Sequence, residues 1–154
     1  MDCECTNEEN KLNTFLKCLV VGAVAALPTV SQAAKTKAPI EMHCKVKGAE
    51  PGDWISPDIL VQWTPGSNNA KVYDLVIDHF FGEPIDAKVI RDDKKILSVD
   101  WVLRNIREPD GFTVDVFTYN LRFNKRTQKA TFNARPNDFL NTFGGRGTCV
   151  EVSE

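Results

Sequence analysis

Few side chains in this sequence can move a proton or hold a metal, so each can be weighed in turn. Only two histidines are present, His43 and His79. His43 stands two residues after Glu41, and in an extended chain that spacing puts both on one side. Such a pair could hold a proton or part of a metal site, but a structural metal needs about four ligands. A solvated strand face explains both residues more simply. His79 follows Asp78, and neighbours on a strand point to opposite faces, so the two cannot act as a dyad. If the strand continues, His79 falls on the apolar side with Tyr73, Leu75 and Ile77. Asp92 and Asp93 look like paired acids, yet they fall at a hairpin tip, where water denies them the burial that shifts a pKa. Asp100 shares a side with Ile96, Ser98 and Val102 and is expected to be solvated on an outer face.

No Gly-x-Ser-x-Gly, phosphate-binding glycine loop or His-Glu-x-x-His occurs. No nucleophile, base and orienter can be assembled, so the expectation is a binding protein and not an enzyme, with no cofactor and no metal. Arg122, Lys125, Arg126, Lys129 and Arg135 cluster around one predicted hairpin, with Phe123 and Phe132 interleaved. Cations with aromatic rings suit nucleic acid, but alternation puts these rings on the face opposite most of the cations. Nucleic acid is therefore not an expected partner. An anionic envelope polymer or lipid surface is the smaller claim that the cluster leaves open.

Five cysteines are present. Cys3, Cys5 and Cys18 lie in a leader. Cys3-Glu4-Cys5 lacks the second pair that a metal site would need. Cys18 to Val30 is an apolar run too short to span a bilayer, which takes about 20 residues. It follows Lys11 and Lys17 and precedes Ser31-Gln32-Ala33, the order of a secretory signal peptide cut after Ala33. The acidic stretch from Met1 to Asn10 is out of place before such a signal, so translation is expected to start near Lys11. Residues 1–33 are read as leader and residues 34–154 as one domain, placed in the periplasm or outside the cell, with no membrane-spanning segment.

That domain carries equal numbers of acidic and basic side chains, so the net charge of -2 belongs to the leader. Its size and balanced composition exclude a multidomain enzyme, a disordered chain and a bulk polyelectrolyte. Only Cys44 and Cys149 remain in it. In an oxidising compartment they are expected to pair, stabilising the fold by at most about 4.7 kcal/mol through closure of a very long loop. The pairing requires the first and last regular segments to be neighbours.

What must position these residues is a chain dominated by period two, the mark of half-buried strands. Ile40, Met42, Cys44 and Val46 alternate with Glu41, His43, Lys45 and Lys47. Further strands are expected at Ile59 to Trp63, Val72 to Phe80, Ile85 to Arg91, Leu97 to Leu103, Phe117 to Phe123, Ala130 to Ala134 and Thr148 to Val152. Turn formers such as Pro65-Gly66-Ser67-Asn68-Asn69, Gly82-Glu83-Pro84 and Glu108-Pro109-Asp110-Gly111 separate them. Of the two longer connections, Gly48 to Asp58 holds Trp54. Arg135 to Gly147 reads as a short helix laying Phe139, Leu140 and Phe143 on the core, stopped by Gly144-Gly145.

Connections this short require antiparallel pairing. The fold expected is all-β, an up-and-down meander of about eight strands closed into a barrel, which removes exposed edges. A two-sheet sandwich is the alternative. Gly52-Asp53-Trp54 resembles the Gly-x-Trp of the lipocalins, secreted barrels in which the motif precedes the first strand. Here a full strand, Ile40 to Val46, comes before it. The resemblance covers three residues and implies a lipocalin-like architecture only. The function expected is binding of a small, largely apolar ligand in a barrel mouth lined by Trp54, Trp63, His79, Trp101 and Tyr119, with the Trp54 loop as lid. The alternative is an envelope protein-interaction or inhibitor-type module without a cavity, its aromatics filling the core.

Overall fold

The computed structural model describes residues 37–152 apart from 52, 109, 110, 112 and 138, so the leader expected over residues 1–33 lies outside the described residues. Eight strands form a closed antiparallel barrel in sequence order: β1 (Ile40–Val46), β2 (Asp58–Trp63), β3 (Asn69–Asp74), β4 (Ile85–Asp92), β5 (Ile96–Arg107), β6 (Thr113–Asn124), β7 (Lys129–Pro136) and β8 (Phe143–Val152). The closed meander is thus the fold, not the sandwich. Alternation carries it: in β1 Met42, Cys44 and Val46 are buried, and in β7 every second residue from Ala130 is buried.

Closure is made by β1 pairing with β8. Cys44 stands directly opposite Cys149, with Cα atoms 4.0 Å apart, and the two form a disulfide spanning 105 residues of sequence. Two glycines let β8 come this close. A Cβ on Gly147 would lie 2.0 Å from the Lys45 carbonyl oxygen, and one on Gly145 would lie 2.8 Å from the Val46 side chain. Gly144 and Gly145 therefore serve a strand and do not stop a helix. The helix expected between Arg135 and Gly147 does not form. β7 runs on to Pro136, the Asn137 N–H donates to the Val116 carbonyl, and β8 begins at Phe143, five residues earlier than Thr148. Leu140 is 97% exposed, whereas Phe143 packs on the core.

The other departure is at the third strand. β3 ends at Asp74, and Leu75–Phe81 form a helix, α1, where alternation pointed to continued strand. The Asp74 side chain accepts from the Ile77 N–H at 2.8 Å, satisfying a free donor of the first turn, and Gly82 closes the helix in the left-handed conformation at φ 71°. A strong cap at each end outweighs an ambiguous apolar run. In consequence Asp74 turns inward and Ile77 is fully buried.

One belt of paired residues runs round the barrel: Trp63, Ala70, Ala87, Trp101, Tyr119, Ala134 and Phe143. Four large rings and three alanines share this belt, so bulky and small side chains together line the interior of the eight-stranded barrel. The connections β1–β2, β3–β4, β5–β6 and β7–β8 gather at one end, the mouth, where α1 also lies.

Candidate ligand site at the barrel mouth

The β1–β2 connection is pinned to the barrel rim. The Val46 N–H donates to the Pro57 carbonyl at 2.8 Å, and the Asp53 carboxylate accepts from the Glu50 N–H at 2.8 Å. This places Trp54 over the open end, its ring 4.9 Å from Phe117 and 6.2 Å from Phe80, stacked on both. Phe117 in turn lies 5.0 Å from Tyr119, and Tyr119 stacks on Trp101 at 5.2 Å. Aromatic rings therefore run without a break from the mouth to the belt.

Outside Trp54, a cleft of about 350 Å³ opens between the loop, α1 and the start of the β5–β6 turn, lined by Trp54, Leu75, Val76, His79, Phe80 and Glu108. His79 Nε2 stands 3.5 Å from Glu108 Oε2. The histidine sits on α1, so it lies at the rim and does not join the barrel interior as strand alternation implied. Of the five residues expected to line a ligand, Trp54 and His79 share this cleft. Trp63, Trp101 and Tyr119 lie inside the barrel, each at most 4% exposed.

Inside, four polar atoms have no hydrogen-bond partner among the described residues: Trp63 Nε1, Trp101 Nε1, the Tyr119 hydroxyl and Asp74 Oδ2. An unsatisfied buried group costs about 1–3 kcal/mol, more when charged, so native interiors hold few of them. Asp74 is 4% exposed, and burial pushes its carboxyl up to about 6, against the pull of the Ile77 and Val76 N–H groups and the Ser56 hydroxyl. Burial also raises Tyr119, and the charge on Asp74 raises it further, so the two groups sense each other across the interior. Together they offer two indole N–H donors, one hydroxyl and one carboxylate oxygen.

The other candidate groups have partners of their own. His43 Nε2 meets Asp58 Oδ1 at 2.7 Å across β1 and β2, a solvated contact and not a site with Glu41. Asp93 ties its hairpin, accepting from the Lys95 and Ile96 N–H groups at 2.7 Å, and these bonds and Arg91 hold it down at about 2. Asp100 lies on the outer wall, bonded by the Asn120 amide. Among the described residues, no three His, Cys, Asp or Glu side chains gather as a metal site would require. Asp74 is the functional candidate that sequence reasoning missed. Its signal was present, an aspartate three residues before Ile77 in a run that ends at Gly82.

The chain matches no protein family, no curated protein and no solved structure. The lipocalin resemblance rests on Gly-Asp-Trp, and Trp54 lies after β1, within the β1–β2 connection.

Proposed function

We propose that this is an exported, non-enzymatic barrel that binds a small, largely apolar ligand bearing hydrogen-bonding groups. The ligand is admitted past Trp54 and α1 and recognised by Trp63, Trp101, Tyr119 and Asp74. The observation that carries this reading is the set of four buried polar atoms that the described residues leave without partners. A ligand with an acceptor for the indole N–H groups and a donor for Asp74 would satisfy them at the point of binding, which is how a mostly apolar pocket obtains orientation. The stack of rings from Trp54 inward supplies apolar surface along the route.

Export is supported by the disulfide, which persists in oxidising compartments. Among the described residues, no helix is long and apolar enough to cross a membrane. Native mass spectrometry of protein secreted by its own host, followed by titration with phenols and medium-chain alcohols read by tryptophan emission, tests the proposal. A retained small-molecule mass and saturable one-to-one quenching, weakened by Trp101→Phe and Tyr119→Phe, are expected. Bare protein mass together with no saturable response to any of these compounds would refute it.

A further inference from the structure

The outer face of the wall that β1 and β8 close carries a feature that ligand binding at the mouth does not use. Closing the barrel brings Lys45 of β1, and Lys47 just beyond its end, beside Arg146 of β8 and Lys129 of β7, cations that lie far apart in the sequence. Thr148 is paired with Lys45 on one side and with Lys129 on the other. The Lys47 N–H donates to the Arg146 carbonyl at 2.8 Å, and Arg146 stands opposite Thr131, itself opposite Arg122. The four cations and both threonines are exposed and line one shallow cleft of about 610 Å³.

Among the described residues, none of these four cations has an ion pair. Asp58, across from Lys45, is engaged by His43, and Lys125 of the neighbouring hairpin is neutralised by Asp92. Cations gathered on one sheet face repel one another, yet here they stand together in a domain whose overall charge is zero. With strands about 4.8 Å apart and alternate residues nearly 7 Å apart, Lys45 and Lys129 flank Thr148 at about 10 Å. A single small anion cannot meet all of these positions. A chain with anionic groups spaced several Å apart can.

We infer that the β7–β8–β1 wall is a binding surface for an acidic polysaccharide, its cations meeting carboxylate or sulfate groups and Thr131 and Thr148 meeting sugar hydroxyls. The alternation of cations and hydroxyls in the cleft favours this occupant. Single-stranded nucleic acid would need rings to stack on, and Phe123 and Phe132 of the adjoining strands are buried. A bilayer would need exposed apolar side chains among the cations, whereas Val46 and Ala130 in the cleft are buried and the exposed Val150 and Val152 lie beyond it along β8. The disulfide lies directly behind the wall, because Cys44 and Cys149 adjoin Lys45 and Thr148, so it holds the two halves of the surface in register.

The oxidised full-length protein is titrated by calorimetry at low salt with heparin, with polygalacturonate, with single-stranded DNA and with anionic phosphatidylglycerol vesicles. Binding to either polysaccharide is expected. The variant Lys45→Gln/Lys129→Gln/Arg146→Gln should weaken it by about tenfold or more, and should flatten its logarithmic salt dependence by about two units. A control on the far wall, Lys88→Gln/Arg104→Gln, should leave the affinity within about twofold. Far-ultraviolet circular dichroism shows that each variant is folded. The inference is overturned if polysaccharide binding is absent at low salt or if the control variant weakens it equally. Tighter binding of DNA or vesicles than of either polysaccharide would also overturn it.

Discussion

Asp74 offers the sharpest test of the interior. Its carboxyl sits near 6 in the folded chain against 3.8 for an unperturbed aspartate, and burial is the main cause. A folded-state pKa above the unfolded one means that between about pH 4 and pH 6 the folded protein holds more proton than the unfolded chain. Stability from this group is therefore fully present below about pH 4 and is lost as pH rises through 6. A shift of about two units corresponds to about 3 kcal/mol. Asp74→Asn removes the titration but keeps an oxygen to accept from the Ile77 N–H, and asparagine caps helices as well as aspartate does. Urea unfolding at a series of pH values from 4 to 7.5 should give nearly equal stabilities at the acidic end. By pH 7 the variant should be more stable by about 3 kcal/mol. The difference between the two proteins isolates Asp74 from every other titrating group. A gap that stays constant with pH, or one in which the natural protein gains on the variant as pH rises, would show that Asp74 is not a desolvated acid.

Other consequences can be measured separately. Reduction of the Cys44–Cys149 disulfide should lower unfolding free energy by up to about 4.7 kcal/mol, read from urea midpoints with and without reductant. Gly147→Ala should cost about 3 kcal/mol or more and lower the Tm, because the new Cβ meets the Lys45 carbonyl and β1 must part from β8. Tyr119→Phe removes a buried hydroxyl that has no partner among the described residues, so without ligand it should stabilise the protein by about 1 kcal/mol while weakening ligand binding. Asp93 is held at about 2, so the hairpin stability it supplies should be present above about pH 4 and lost as pH falls through 2, a dependence that Asp93→Asn abolishes.

Much of the barrel was legible because period two is a local property. Strand β1 could be read residue by residue from Ile40 to Val46, and the remaining pair of cysteines implied that its neighbour would be the last strand. The helix proved harder in both directions. Val72 to Phe80 alternates well enough to pass as strand, and only Asp74 and Gly82, as caps, reveal α1. Conversely, Phe139, Leu140 and Gly144-Gly145 mimic a helix and its stop. Gly145, like Gly147 after it, has no room for a Cβ because β8 approaches β1 closely there, a requirement set by a strand about a hundred residues away.

Composition and spacing alone therefore determined an all-β chain, its antiparallel order and the pairing of Cys44 with Cys149. Each of these follows from nearest-neighbour geometry and chain connectivity. The tertiary structure decided what the residues confront. It turned Asp74 inward beside Tyr119, set Trp54 over Phe117, moved His79 to the rim, and gathered Lys45, Lys47, Lys129 and Arg146 from far apart in the sequence onto one wall. Those placements depend on strand register and on where the barrel closes, and a side chain's partners across a closed sheet are fixed by that register, not by its neighbours in sequence.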